Sequence, residues 1–305
     1  MPGEFRLTKA VLDTLGVGLE PVLMFVAQAR PSASEFETWI LDQFGGTIDQ
    51  RRVARALAIA QGDPPDAERR AELERIDSAA AVLTDVDLAF WHENGYVIVR
   101  DAAPLAACAE LQRAIWQRLS ADPADSGTWY GPGRQQGVMV QMFHAAGIAE
   151  IHASARIHKA FAQLAGTADL VMTSDRCGFN PPVRPGNPYT GTSLHLDLES
   201  LTPPVSPGLQ GILYLTDTAE DQGALRVMPG FQHRIDSWLA SLPAGCNPTL
   251  EDFAALGEVR SIAARAGNLI IWSAALPHGP QANTASQPRI VHYLTMYPTP
   301  RPSTS

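Results

Sequence analysis

A mainly β core with helices, preceded by a helical segment, is the fold class that this 305-residue chain predicts. Two observations carry it. From Leu170 onward, short apolar runs alternate with Pro- and Gly-rich turns: Leu170 to Phe179, Ser193 to Leu198, Gly211 to Thr216, Ala224 to Met228, Leu269 to Trp272 and Ile290 to Met296. Many short strands at that spacing specify a β-sandwich or barrel. Residues 1–82 instead place apolar side chains at helical intervals. The expected organisation is a helical N-terminal extension over 1–82, a main domain over 83–300 and a tail over 301–305.

In the extension, Leu7, Val11 and Leu15 recur at i, i+4 and i+8 before Gly16. Ser34 and Glu37 have capping-box spacing, and Phe36, Trp39, Ile40 and Phe44 line one helical face ending at Gly45-Gly46. A third helix is expected over Arg51 to Gln61, broken by Gly62-Asp63-Pro64-Pro65, and a fourth from Ala67 to Ala80. These helices carry no recognisable chemistry, so their expected role is packing on the main domain or contact between copies in a homo-oligomer. Val22 to Ala29 ends in an Ala-x-Ala-like sequence, as at a signal-peptidase site, but Asp13, Glu20 and Pro21 interrupt the apolar stretch before it. No apolar run approaches the length of a membrane span. Cys108, Cys177 and Cys246 are odd in number, widely spaced and without zinc-site spacing, which suggests reduced thiols in a cytoplasmic protein. A net charge of −9 with no basic run argues against nucleic-acid binding.

The main domain opens at Thr84, which with Asp87 caps a short helix through Phe90 and Trp91, stopped by Gly95. Tyr96 to Val99 reads as a strand and Leu105 to Leu119 as an amphipathic helix. Trp129 to Gly137 is a Gly-rich loop, Val138 to Phe143 a strand and Ile148 to Leu164 a helix. The loop from Asn180 to Pro188 holds four prolines and forms a rim or a plain connection.

The chemistry gathers around Thr192-Ser193-Leu194-His195-Leu196-Asp197-Leu198. Leucines alternate with polar residues there, the period of a half-buried strand, so His195 and Asp197 project to the same face. Alone, the triplet fits better a surface strand with a hydrogen-bonded His and Asp. Downstream, His278 follows the strand Gly267 to Trp272, and Arg289 opens the strand Arg289 to Leu294 in a His-x10-Arg order. Two neutral imidazoles and one carboxylate hold Fe(II) on a single face and leave three positions open. A 2-oxo acid chelates through its keto and carboxylate oxygens, dioxygen takes the last position, and the distal carboxylate needs a bidentate, permanently charged partner such as Arg.

In these residues the sequence resembles the phytanoyl-CoA dioxygenase-like Fe(II)/2-oxoglutarate-dependent oxygenases, over roughly residues 84–297. The resemblance rests on Trp91 to Val99, on His195-Leu196-Asp197, on Gly223-Ala224-Leu225-Arg226-Val227-Met228-Pro229-Gly230-Phe231-Gln232-His233, and on His278 with Arg289. It implies a double-stranded β-helix (jelly roll, cupin-like), with His195, Asp197 and His278 holding iron and Arg289 binding the distal carboxylate of 2-oxoglutarate. The implied reaction consumes O2, releases succinate and CO2 and oxidises an unactivated C–H bond of a small molecule. His233 is implied to be structural, and Phe231-Gln232 replace the Ser or Thr that usually precedes it. Related halogenases replace the metal-binding acid, so Asp197 favours hydroxylation. Desaturation, cyclisation or epimerisation, and a non-catalytic jelly-roll binding protein, remain as alternatives.

Further contacts follow from the strand Met172 to Gly178, expected beside the metal strand. By alternation Ser174 and Arg176 share one face, and Asp175 and Cys177 the other. Ser174 is expected at the co-substrate and Arg176 at a carboxylate or other polar anchor of the primary substrate. Gln141, Thr192 and Ser193 are further co-substrate candidates, whereas Trp272 is expected in the core. The lack of a basic cluster for a CoA phosphate disfavours acyl-CoA.

Overall fold

The structure is a computed structural model, and it describes residues 2–131, 139–186, 194–198, 200–243, 253 and 256–300. Five helices precede the main domain: α1 Pro2–Leu15, α2 Leu19–Ala29, α3 Ala33–Asp42, α4 Gln50–Gln61 and α5 Ala67–Ser78. The segment resembling a signal sequence is therefore α2. Among the described residues no single helix is long and apolar enough to cross a membrane, although α1 and α2 together, bent by 102°, have the length and composition. The capping box falls two residues earlier than expected, on Ser32 and Glu35 rather than Ser34 and Glu37. The left-handed Arg30 ends α2, and Ser32 takes an extended backbone directly after Pro31, so the first available Ser/Glu pair captures the helix start.

The extension packs on the main domain. Ala10 of α1 and Ile59 of α4 form an apolar cluster with Val171 and Tyr297. Leu12, Val17 and Val22 gather against Phe36, Trp39 and Phe44. Two guanidinium groups add a polar tie: Arg55 and Arg69 both donate to the Leu170 carbonyl, at 2.7 and 3.2 Å, beside the Asp169 carboxylate. Leu170 begins the strand β3 of the main domain, defined below.

The main domain starts with α6 Asp85–Asn94, which has the expected Thr84/Asp87 capping box and a left-handed Gly95 as its stop. Strand β1 Tyr96–Val99, α7 Leu105–Arg118 and the two-residue β2 Met139–Val140 follow. The helix expected over Ile148 to Leu164 is two helices, α8 Ile148–His152 and α9 Ala155–Ala165. Ser154 separates them because its hydroxyl caps α9 at Ile157 N–H and donates to the Ala102 carbonyl at 2.6 Å. The remaining elements are β3 Leu170–Met172, β4 Cys177–Asn180, β5 Leu209–Tyr214, β6 Leu225–Val227, α10 Ile235–Ser241, β7 Arg260–Ile262, β8 Leu269–Ser273, β9 His278–Pro280, β10 Arg289–Tyr293 and β11 Met296–Pro298.

Six strands form an antiparallel sheet in the order β1-β8-β5-β10-β4-β2, three form a second sheet β7-β6-β9, and β3 pairs with β11. The period-2 alternation of the large sheet divides its side chains between two cores. Ile212, Tyr214, Ile270, Trp272 and Val291 face Leu225, Val227 and Ile262 of the small sheet. Leu213, Leu269, Ile271 and Ile290 point the other way, onto Leu111 and Ile115 of α7 and Ile157 and Phe161 of α9. Two β layers closing on one apolar interior form the jelly roll. The run Leu170 to Phe179 is not one strand beside the metal segment: β3 pairs with β11, and β4 lies in the opposite, six-stranded sheet.

Candidate metal centre

The segment 194–198 is not the regular strand its alternation predicts. It touches the small sheet through one antiparallel bridge, in which His195 and His278 exchange both backbone hydrogen bonds, at 2.9 and 3.0 Å. That bridge places the two imidazoles side by side, with ring centroids 4.5 Å apart. Asp197, two residues on, turns its carboxylate between them: Oδ1 lies 3.6 Å from His195 Nε2 and Oδ2 lies 3.4 Å from His278 Nε2. Ligand atoms of all three lie within 4.8 Å of one another, the one such group among the described residues.

The protonation states suit a cation. His278 Nδ1 lies 2.9 Å from the Leu276 carbonyl, which can only accept. Nδ1 therefore carries a proton, and Nε2 is the ring atom that faces Asp197. For Asp197, burial opposes ionisation, but hydrogen bonding to His195, His278 and Gln210 outweighs it and holds the carboxyl well below the usual carboxylate range. The donor set is two imidazoles and an anionic oxygen, half-open on the His195 and Asp197 side, whose side chains are 40% and 50% exposed, against 5% for His278.

Deeper in the same interior lies Arg289, the first residue of β10 and 1% exposed. It is no solvated strand cap. Its Nε and Nη2 have no hydrogen-bond partner among the described residues, although the phenols of Tyr214 and Tyr293 lie close enough to interact with it. A buried guanidinium with orphaned N–H groups is costly unless an anion completes it. The residues present thus fit both an iron ion and a co-substrate with a distal carboxylate.

The other expected contacts are placed differently. Arg176 precedes β4, where its carbonyl accepts from Tyr293 N–H, and its guanidinium is held by Glu20 of α2, with Nη1 at 2.9 Å from Oε2. Asp175 is not turned away from it, because Asp175 Oδ1 lies 3.7 Å from Arg176 Nε and accepts the Arg176 amide. Strand alternation fails there because residues 173–176 lie between β3 and β4 rather than within a strand. Gln141 donates to the same Glu20 at 3.3 Å. Ser174 faces α1: its N–H donates to Asp13 Oδ1 and its hydroxyl to the Asp13 carbonyl. Thr192 and Ser193 lie outside the described residues. His233 is exposed beside Gln232 and is not part of the metal group. Trp272 is 3% exposed, its ring 5.2 Å from that of His278. Sequence reading missed Gln210, which donates to Asp197 Oδ2 at 2.7 Å, and Glu20. Gln210 had a signal, since it shares alternation parity with Ile212 and Tyr214; Glu20 had none, because a helix outside the barrel supplies it.

Jelly rolls that offer two imidazoles and one carboxylate to a single ion, with an arginine further along the same interior, form the class of non-haem iron oxygenases that consume a 2-oxo acid. The comparisons narrow the class. The family model Phytanoyl-CoA dioxygenase (PhyH) matches residues 91–291, and the chain belongs to that family, an oxidoreductase family of Fe(II)/2-oxoglutarate-dependent dioxygenases. A putative phytanoyl-CoA dioxygenase of Dictyostelium discoideum is 21% identical over 259 residues, 69% of this chain and 74% of the relative. Among solved structures, EctD from S. alaskensis in its apoform is similar over 72% of this chain and 79% of its own, at 21% identity and a TM-score of 0.52. The epimerase SnoN in complex with Fe3+, alpha ketoglutarate and nogalamycin RO is similar over 77% of this chain and 88% of its own, at 18% identity and a TM-score of 0.51.

Proposed function

We propose that the protein hydroxylates a small molecule, with residues 83–300 as the catalytic unit, in the cytoplasm. The observation that carries the reading is the convergence of His195, Asp197 and His278 in a fold that also buries Arg289 with two orphaned donors. His195, Asp197 and His278 would hold Fe(II), and Arg289 would receive the distal carboxylate of 2-oxoglutarate. When bound, iron with 2-oxoglutarate and O2 supplies oxidising power, coupling decarboxylation to succinate and CO2 with oxidation of a C–H bond. The chain's own contributions are positional. His278 is locked in one tautomer by Leu276, Asp197 is kept anionic, and Arg289 fixes the far end of the co-substrate. Arg289 itself is 1% exposed, with the phenols of Tyr214 and Tyr293 close to it, so water is kept from that arginine.

Arg176 enters this reading as an anchor for a substrate carboxylate, in exchange for Glu20. Such an exchange replaces one carboxylate by another, and a part-exposed ion pair contributes only about 0–1 kcal/mol, so it is energetically accessible. Gln141 belongs with Arg176 through their shared Glu20, and Ser174 with α1. Anaerobic titration of the Fe(II)-loaded protein with 2-oxoglutarate, followed by succinate measurement after O2 is admitted, tests the activity. Binding and succinate formation are expected, and absence of both would remove the reading. Once a substrate is found, 18O2 incorporation into product is expected for hydroxylation and excludes a purely dehydrogenating or epimerising outcome.

A further inference from the structure

Asp197 is the least supported ligand by backbone. Among the described residues its segment is tied to the small sheet only through the His195–His278 bridge, and Asp197 belongs to no ladder. Its carboxylate nonetheless has one firm donor besides the histidines, Gln210 Nε2 at 2.7 Å from Oδ2. Gln210 is rigidly mounted: β5 runs between β8 and β10, and Gln210 lies opposite Trp272 in the β5–β8 register. The orientation of its amide follows from chemistry, because an ionised carboxylate only accepts, so the NH2 end must face Asp197. The amide oxygen is correspondingly turned away, buried and without a partner among the described residues, as is the Trp272 indole Nε1 across the pair. A surface glutamine satisfied by water would not leave a buried orphaned oxygen, so the amide is held where it is by its contact with Asp197.

We infer that Gln210 is a positioning residue for the metal ligand Asp197: by engaging Oδ2 it presents Oδ1, on the His195 side, as the single ligating oxygen. The inference rests on the proposed iron and 2-oxoglutarate reading and deepens it. Six coordination positions are filled by three protein donors, two co-substrate oxygens and dioxygen only if the carboxylate supplies one atom. A carboxylate free to rotate and bind through both oxygens would take the position that dioxygen requires. Oδ2 also lies 3.4 Å from His278 Nε2, so Gln210 competes with that approach and keeps the carboxylate from swinging toward His278.

The test uses full-length protein and Co(II) as an oxygen-stable probe, with affinity measured by chelator competition and coordination by the visible absorption of the bound ion. Gln210→Met keeps the length of the side chain without the donor, and Gln210→Leu removes the donor with a branched apolar side chain. Both are expected to weaken Co(II) binding by about 10–100-fold and to change the absorption spectrum, while the melting temperature of the metal-free protein stays at the wild-type value. Variants that bind Co(II) within about twofold of wild type with an unchanged spectrum overturn the assignment. So does a loss of affinity in both variants that is matched by a lower metal-free melting temperature, since the role is then structural. A wild-type protein that binds no Co(II) overturns the metal reading and this assignment with it.

Discussion

The chain holds two pairs of neighbouring histidines, and the contrast between them defines what makes a metal site. His195 and His278 have ring centroids 4.5 Å apart and share a carboxylate. His152 and His292 have ring centroids 5.2 Å apart and share a hydrogen bond, with their Nε2 atoms 3.0 Å apart. His292 Nδ1 faces the Arg176 carbonyl at 3.2 Å, so its Nδ1 carries the proton and its Nε2 accepts from His152. No carboxylate joins this second pair. The nearby Cys177 is no substitute, because burial pushes its thiol up to about 12 and it stays protonated. Burial pushes His292 down to about 4, and burial followed by the neighbouring His292 holds His152 well below its ordinary value. One pair meets an anion; the other is neutral and already satisfied by its own hydrogen bond. Proximity of imidazoles is therefore not enough: an anionic third donor is what separates the two.

The comparison breaks most sharply through alanine. His278→Ala is expected to abolish metal binding and Fe(II)-dependent succinate formation, whereas His152→Ala retains both at a cost to stability. Metal titration of the two variants decides, and loss of metal from His152→Ala would erase the distinction. Arg289→Ala should come next: losing a desolvated bidentate partner of about 2–5 kcal/mol lowers 2-oxoglutarate affinity by at least about tenfold with metal still bound.

The fully buried His292 also sets a pH dependence. The folded state resists protonating His292 until about pH 4, while the unfolded chain takes that proton near the ordinary value of 6.5. Between those values the unfolded state binds more protons, so stability falls as pH falls, by roughly 3 kcal/mol in all. Denaturant midpoints for the metal-free protein across that window should show the slope, and His292→Gln should flatten it. The smallest effect belongs to Glu20→Gln, which removes a part-exposed ion pair with Arg176 and should change stability by no more than about 1 kcal/mol.

Much of this was legible in sequence because it is local. Alternation and turn residues located β1, β5, β6, β8 and β10, and residue types at fixed order singled out His195, Asp197, His278 and Arg289. What sequence did not carry was set by tertiary partners. The 194–198 segment alternates like a strand but, among the described residues, meets its neighbour at the single His195–His278 bridge. Gln210, Glu20 and the His152–His292 pair owe their roles to residues 13, 121 or 156, and 140 positions away, beyond any periodicity. Arg176 has its partner on α2, which no pattern around residue 176 could announce.

The two guanidinium groups on the Leu170 carbonyl have a consequence for anyone shortening the chain. Strand β3 pairs only with β11, and Arg55 and Arg69 occupy a backbone acceptor that would otherwise be left bare at that end. Bare sheet margins recruit other sheets. A version starting at residue 83 would keep every metal ligand yet expose this margin and Val171, and light scattering should find it self-associating more than the full chain does.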